Sequence, residues 1–396
     1  MKATTILNQL LLEVTPTMHK VRRASLSAMV TSLMSGGQCS VTGLGRNIDS
    51  KTSEKHQIKR SMRLCSNPHL HNEIASIYSL MANRLIGYQQ PIILVDWSDL
   101  DPRKQHFLLR ASVAVEGRSL TVLEQVYPLS EKEKPAVHKA FMTKLKSMLP
   151  PTCKPIIVSD AGFRVPWFEL ISSLGWDFVG RVRNRTYCQH KLCDEWTPVK
   201  SLYKKATLQA KTLGTYELRR KNPLSCHLVI YKGKAKGRHH LTATSEKTRE
   251  GKPSRVHANR EKEPWLLATS LTTKTAQQAK KIVQIYQTRM QIEESFRDLK
   301  TGLNFNDSNT RTLAYLSTLL LLNLLAQYVL FLLGMAVKFS QQHLRYQANS
   351  LKTRTVLSYQ FIGLRAFKDR HLKLLKRDWQ AAMRKIQLLM QEPLNV

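Results

Sequence analysis

The chain has 396 residues, with 62 Lys plus Arg against 28 Asp plus Glu, a formal charge of +34. That length allows a sizeable core and two or three domains. The cation excess argues against a protein without a polyanionic partner: DNA is the first candidate and an anionic membrane surface the second.

The opening stretch, MKATTILNQLLLEV, lacks the pattern of a signal peptide, and six cysteines are scattered along the chain. Reduced thiols in a cytoplasm are expected. Cys188-x4-Cys193, with His190 between and Cys226-His227 later, is the one set from which a zinc site could be assembled, but its spacing is irregular.

Residues 1–80 read as a basic helical region. SLSAMVTSLM (25–34) predicts a helix stopped by Gly36-Gly37, and Ser40 a cap on a short helix VTGLGRNI. In KTSEKHQIKRSMRLCSNP, Lys55, Lys59 and Arg63 recur at i, i+4 and i+8, with Arg60 beside them. Short helices joined by tight turns, the last one basic, suggest a helix-turn-helix-like reader of DNA with Lys55, Lys59, Arg60 and Arg63 on its DNA face. A small helical bundle with a solvated charged face is the plainer alternative.

From Pro91 the pattern turns to strands. Pro91 to Asp99, His106 to Val115 and Leu120 to Tyr127 are apolar runs, with Glu116-Gly117-Arg118-Ser119 as a hairpin turn between the second and third. A helix from Pro135 to Met148, a strand from Lys154 to Asp160, a helix from Val165 to Leu174 and a strand from Trp176 to Val182 follow. Three antiparallel strands and then alternating helix and strand is the order of an RNase H-like α/β core built on a mixed five-stranded sheet. A doubly wound nucleotide-binding fold would need a Gly-rich first turn, and none follows the first strand.

Two of these strands end in acid. PIILVDWSD delivers Asp96 on the face of Ile92 and Leu94, while Asp99 is expected past the strand end and Asp101 precedes Pro102. KPIIVSDAGF delivers Asp160. Residues 184–262 read as an insertion, polar and basic. They include a strand over Cys226–Tyr231 and a charged run from KGKAKGRHH to Lys262, either solvated or gripping a DNA end. PWLLATSL is a further strand, opened by Trp265.

Thr275 to Leu303 contains good helix formers and no Pro, and predicts one continuous helix. At about 100° per residue, Tyr286, Arg289, Glu293 and Lys300 fall on one seam, beside an apolar stripe of Ile285, Ile292, Phe296, Leu299 and Leu303. A carboxylate on that seam could hold a divalent metal, and the guanidinium, ammonium and phenol could hold phosphates. Asp96, Asp160 and Glu293 gathered in one cleft would repel one another without cations, which implies Mg²⁺ or Mn²⁺, two ions about 4 Å apart.

Tyr286-x2-Arg289-x3-Glu293-x6-Lys300 resembles the Y-R-E-K signature of the "IS four" family of bacterial cut-and-paste transposases. VDWSD and VSDAGF resemble its two aspartate motifs. EPWLLATSL and the N-terminal GRNI and HQIKR resemble it as well. The resemblance implies a transposase that binds the terminal inverted repeats of its element and cuts through a hairpin intermediate. It also implies a mostly β insertion, and a tryptophan at Trp265 that stacks on a base flipped from the DNA end, with a plain core tryptophan as the alternative. Two other readings stay open: an RNase H-like nuclease that does not transpose, and a basic DNA-binding or membrane-associated protein whose acids are incidental.

LAYLSTLLLLNLLAQYVLFLLGMAV, Leu313 to Val337, is uncharged and long enough to span a bilayer. Asn323 and Gln327 in mid-span, and the absence of a second such segment, favour a buried core helix and no membrane. Residues 338–396 are basic, with Leu372, Leu375, Trp379, Met383 and Ile386 spaced for one apolar helical face. DNA-end contact or a homodimer interface is expected there, and the resemblance implies synapsis. The domain plan is thus 1–80 for the DNA ends, 81–337 for the catalytic core interrupted by 184–262, and 338–396 for assembly.

Overall fold

The computed structural model describes residues 2–86, 90–101, 103–183, 186–233, 263–349, 351 and 356–391. The charged run expected as a loop or DNA grip from 234 to 262 lies outside them. The chain gathers into two compact units, Met1–Pro155 with Thr288–Val396, and Ile156–Gln287.

The first unit opens with five helices: α1 (Ala3–Val14), α2 (Lys20–Met34), α3 (Val41–Arg46), α4 (Glu54–Cys65) and α5 (Pro68–Leu85). Their ends follow local chemistry. The Ser40 hydroxyl accepts from the Gly43 amide, and the Asn67 side chain accepts from the Leu70 amide just ahead of a helix that starts with Pro68. Gly36, at φ +97°, turns the chain out of α2.

Strands β1 (Ile92–Asp99), β2 (His106–Ala114) and β3 (Ser119–Pro128) pair antiparallel in the order β3-β2-β1. Their register lines up Asp96, Arg110 and Glu124 in one cross-strand row. Asp99 is the last residue of β1, not a residue beyond it: it pairs with Phe107 in the ladder. Helix α6 (Pro135–Met148) follows the sheet.

The second unit carries β4 (Ile156–Ser159), α7 (Val165–Ser173) and β5 (Asp177–Arg181), with β4 and β5 parallel. Then come β6 (Tyr187–His190), β7 (Thr197–Pro198), β8 (Lys211–Leu218), β9 (Leu224–Tyr231), β10 (Trp265–Thr269) and α8 (Ala276–Gln287). Its strand order is β4-β5-β10-β9-β8-β6-β7, antiparallel from β5 onward. The described part of the 184–262 stretch carries β6 to β9 and one short 3₁₀ helix, Val199–Lys205, with loops between them. Antiparallel β1–β3, then parallel strands alternating with helix, is the α/β order expected of an RNase H-like core.

The chain returns to the first unit with α9 (Met290–Arg297), a π-helical turn at Asp298–Gly302, and α10 (Leu313–Phe339). Helix α10 is long and apolar enough to cross a membrane by length and composition, yet nearly all of its most apolar stretch is buried inside the unit. It packs against α1, α2, α4, α5 and β3. The side-chain nitrogen of its buried Asn323 donates to the Leu319 carbonyl (2.8 Å) and to Cys39 Sγ (3.2 Å), while the side-chain oxygen has no hydrogen-bond partner among the described residues. Two further helices, α11 (Tyr359–Lys368) and α12 (Lys376–Gln391), close over it. The buried face of α12 is Trp379, Ala382, Ile386 and Leu389; Leu372 precedes the helix and Leu375 is exposed. The apolar face expected from 372 onward thus begins one turn later, where the helix itself begins.

Candidate active site

The expected single helix from Thr275 to Leu303 is three pieces. Helix α8 ends at Gln287 and α9 starts at Met290. Between them the amides of Gln291 and Ile292 reach back only three residues, to the carbonyls of Thr288 (2.9 Å) and Arg289 (3.3 Å). This tight turn interrupts the α ladder where the chain passes from one unit to the other. Beyond Arg297 the Leu303 amide bonds to the Asp298 carbonyl five residues back (2.8 Å), the wide turn of a π-helix. A uniform 100° wheel therefore does not hold across the segment, because one turn is overwound and another underwound.

Within the first unit, Asp96, Arg289 and Glu293 come together. One Arg289 nitrogen, Nη1, lies 2.6 Å from a Glu293 carboxylate oxygen and 3.7 Å from Asp96 Oδ2. The other oxygen of Asp96 accepts the Trp97 amide (2.8 Å). Asp96 and Arg289 are largely covered, while Glu293 is 41% exposed at the rim. The two acids thus flank one cationic nitrogen. Lys300, on the π turn, binds Asp99 at 2.5 Å, and that hydrogen bond holds the Asp99 carboxyl below the usual carboxylate range. Asp101 is occupied elsewhere: it accepts the His106 amide (2.8 Å) and closes the β1–β2 connection.

The second unit holds Asp160, Trp265 and Tyr286. Asp160 follows the last residue of β4, and its carboxylate accepts the Gly162 amide (2.8 Å). Tyr286 is buried, with its ring edge-on to Trp265 at 5.0 Å. Trp265 is half-buried and also meets Tyr231 edge-on at 5.9 Å. Arg181 lies in the same unit and donates to the carbonyls of Glu263 and Pro264 (3.2 Å each); burial pulls its pKa down, partly offset by Tyr286. Within neither unit do three His, Cys, Asp or Glu side chains gather to hold a metal, among the described residues.

On α4, Lys55, Lys59 and Arg63 are exposed. Arg60 differs from them: its guanidinium donates to the Ser25 hydroxyl (3.0 Å) and the Ala24 carbonyl (2.9 Å), tying α4 to α2.

Sequence reasoning passed over two arginines. Arg110 is fully buried and pairs with Glu124 at 2.6 Å, directly across the ladder from Asp96. A lone Arg in HFLLRASVA and a lone Glu in SLTVLEQVYP, both mid-strand, were the available signal. Arg118, at the β2–β3 hairpin, grips Asp298 at 2.6 Å, and nothing in a turn sequence announces such an ion pair.

The fold and the acid-lined end of β1 define a class: an α/β nucleic-acid enzyme of the RNase H-like type. The chain belongs to the transposase DDE domain family, whose model matches residues 87–329, more than half of its length. Membership carries a DNA-cleaving transposase activity acting on DNA, and the family generally uses divalent metal ions. No curated protein matches the chain.

Proposed function

We propose that this transposase is a cut-and-paste enzyme of the Y-R-E-K, "IS four" type, close to that of the insertion sequence flanking the Tn-ten tetracycline-resistance transposon. Its metal-binding carboxylates are Asp96, Asp160 and Glu293. The observation that carries this reading is the placing of Asp96 and Glu293 around one Arg289 nitrogen. Hard carboxylate oxygens of this kind suit Mg²⁺ or Mn²⁺. Two such ions would supply charge stabilisation at the attacking and leaving oxygens.

The chain's own residues do the rest. Arg289 and Lys300 are paired with acids in this structure, so phosphate binding exchanges Glu293 and Asp99 for phosphate oxygens as their partners. Tyr286 adds a neutral hydrogen bond to phosphate, and Trp265 stacks on a displaced base. A water oxygen attacks the phosphorus at the element's end, and the 3′-oxygen leaves with a proton. That 3′-hydroxyl attacks the opposite strand, closing a hairpin and releasing the flanking DNA. Water reopens the hairpin, and the freed 3′-hydroxyl attacks target DNA. Residues 1–80 hold the terminal inverted repeats through Lys55, Lys59 and Arg63. Residues 81–337 catalyse, and 338–396 join two copies in a synaptic homodimer. The enzyme works in the bacterial cytoplasm, on the nucleoid.

The test is a plasmid bearing this gene with the genomic DNA that flanks it on both sides, incubated with full-length protein and Mg²⁺. Nicked, hairpin, excised and joined products are scored separately. Asp96→Asn, Asp160→Asn and Glu293→Gln should each abolish nicking while DNA binding persists, because each removes a metal ligand and no cation. Normal cutting by one variant strikes that residue from the site. Cutting without any joined product would make the protein a nuclease that does not transpose.

A further inference from the structure

The side of α9 opposite Glu293 is bonded to the β2–β3 hairpin. The Val115 amide donates to the Gln291 side chain (2.9 Å). The Ser119 amide donates to the Ser295 hydroxyl (2.9 Å), which in turn donates to the Ser119 carbonyl (2.8 Å). Arg118 reaches Glu294 at 3.4 Å and Asp298 at 2.6 Å. Gln291, Glu294, Ser295 and Asp298 are spaced at three and four residues, so they form one ridge of the helix; Glu293 points roughly the other way.

Asp298 is the junction. Its side chain is held by Arg118, and its carbonyl accepts the bond that closes the π turn carrying Lys300. Burial raises the Asp298 carboxyl and the Arg118 guanidinium opposes that rise. The other end of the hairpin is held too. Glu116 accepts from the Tyr359 hydroxyl (3.2 Å) and faces the Lys338 ammonium at 3.7 Å.

We propose that Arg118 is a positioning residue for the reaction: by clamping Glu294 and Asp298 it sets the angle at which α9 presents Glu293 and the π turn presents Lys300. The inference rests on the reading of Glu293 as a metal ligand. Arg118 acts in this reading only through Glu294 and Asp298. Its fork spans two carboxylates one helical turn apart, which a lysine reproduces only in part.

The experiment measures Mn²⁺ binding to the full-length protein without DNA, from the free-ion electron paramagnetic resonance signal. Unfolding temperature is recorded beside it. Arg118→Gln should weaken Mn²⁺ about tenfold, the low end for a residue supporting a metal ligand from behind. Arg118→Lys should recover part of that loss. Asp298→Asn, a gentler change, should weaken Mn²⁺ similarly, and the double variant should be no worse than the single ones, because both break the same ion pair. A purely structural role would lower the unfolding temperature and leave the affinity of folded protein within twofold. That result in both Arg118→Gln and Asp298→Asn overturns the proposal. Glu293→Gln separates the two readings. If it binds Mn²⁺ normally, the ligand assignment falls and this inference with it. If it is weakened while the other variants are not, only the role of Arg118 falls.

Discussion

Next to Asp96 in the sheet sits an ion pair sealed from solvent. Both Arg110 and Glu124 are about 1% exposed at the side chain. Glu124 also accepts from the Tyr78 hydroxyl (2.8 Å), and the Arg110 guanidinium lies over the Phe296 ring of α9 at 4.8 Å. Desolvating two charges costs several kcal/mol each, so the pair is not there because it stabilises more than leucines would. Removing one partner is a different matter, since the other is stranded. Arg110→Ala should destabilise the protein by roughly 3–5 kcal/mol, measured by urea denaturation. Arg110→Met with Glu124→Leu should regain most of that. A single variant that unfolds at the parental urea concentration would mean that water reaches Glu124. The pair also joins β2, β3, α5 and α9 at one point, which fixes the floor on which Asp96 rests.

At the α10–α11 crossing two backbones meet closely. A Cβ on Gly334 would strike the Tyr359 carbonyl, and one on Gly363 would strike the Leu330 carbonyl. Each glycine thus lets backbone pass backbone with nothing flexible to yield. Gly334→Ala should cost about 1–3 kcal/mol or more through overpacking, seen as a lower unfolding temperature, with Gly363→Ala alike. An unchanged temperature would show that the helices slide apart freely. This crossing was invisible in LLGMAV, where a glycine reads only as a weak helix former. The strands were legible because their apolar runs are bounded by Pro91, Gly117, Pro150-Pro151 and Gly175. Helix α6 was legible for the same reason, with Pro135 at its first turn. The breaks at 288–289 and 298–302 were not, since TRMQIEESFRDLKTG is composed of helix formers up to Gly302, and the winding is altered by packing against distant residues. Alternation placed Asp96 on a face. That Arg289 would hold it beside Glu293, and that Asp99 would take Lys300, depend on how α9 docks, which no local pattern encodes.

For the whole molecule, a charge of +34 makes salt the governing variable. Each phosphate that a variant no longer neutralises should reduce the slope of log affinity against log salt by about 0.9. Lys55→Ala, Lys59→Ala and Arg63→Ala combined should therefore lower the slope for end binding by roughly three units, read from fluorescence anisotropy at several salt concentrations. Arg60→Ala should leave that slope nearly unchanged and lower stability instead, since its guanidinium already serves Ser25 and Ala24. A slope that drops by a full unit in Arg60→Ala alone would put that residue on the DNA.

The discontinuity of the first unit has a bearing on synthesis. Its two stretches are separated in the chain by the whole of the second unit. Helix α10, on which α1, α2, α4 and α5 all pack, leaves the ribosome after every one of them. Until residues 313–339 have been translated, the faces of those helices that meet α10 lack that partner. A ribosome that stalls or terminates upstream of that point releases a chain whose first unit has no centre, exposed to proteases and chaperones. The arrangement places the packing partner of the helical N-terminal region downstream of Glu293 and Lys300 in the chain.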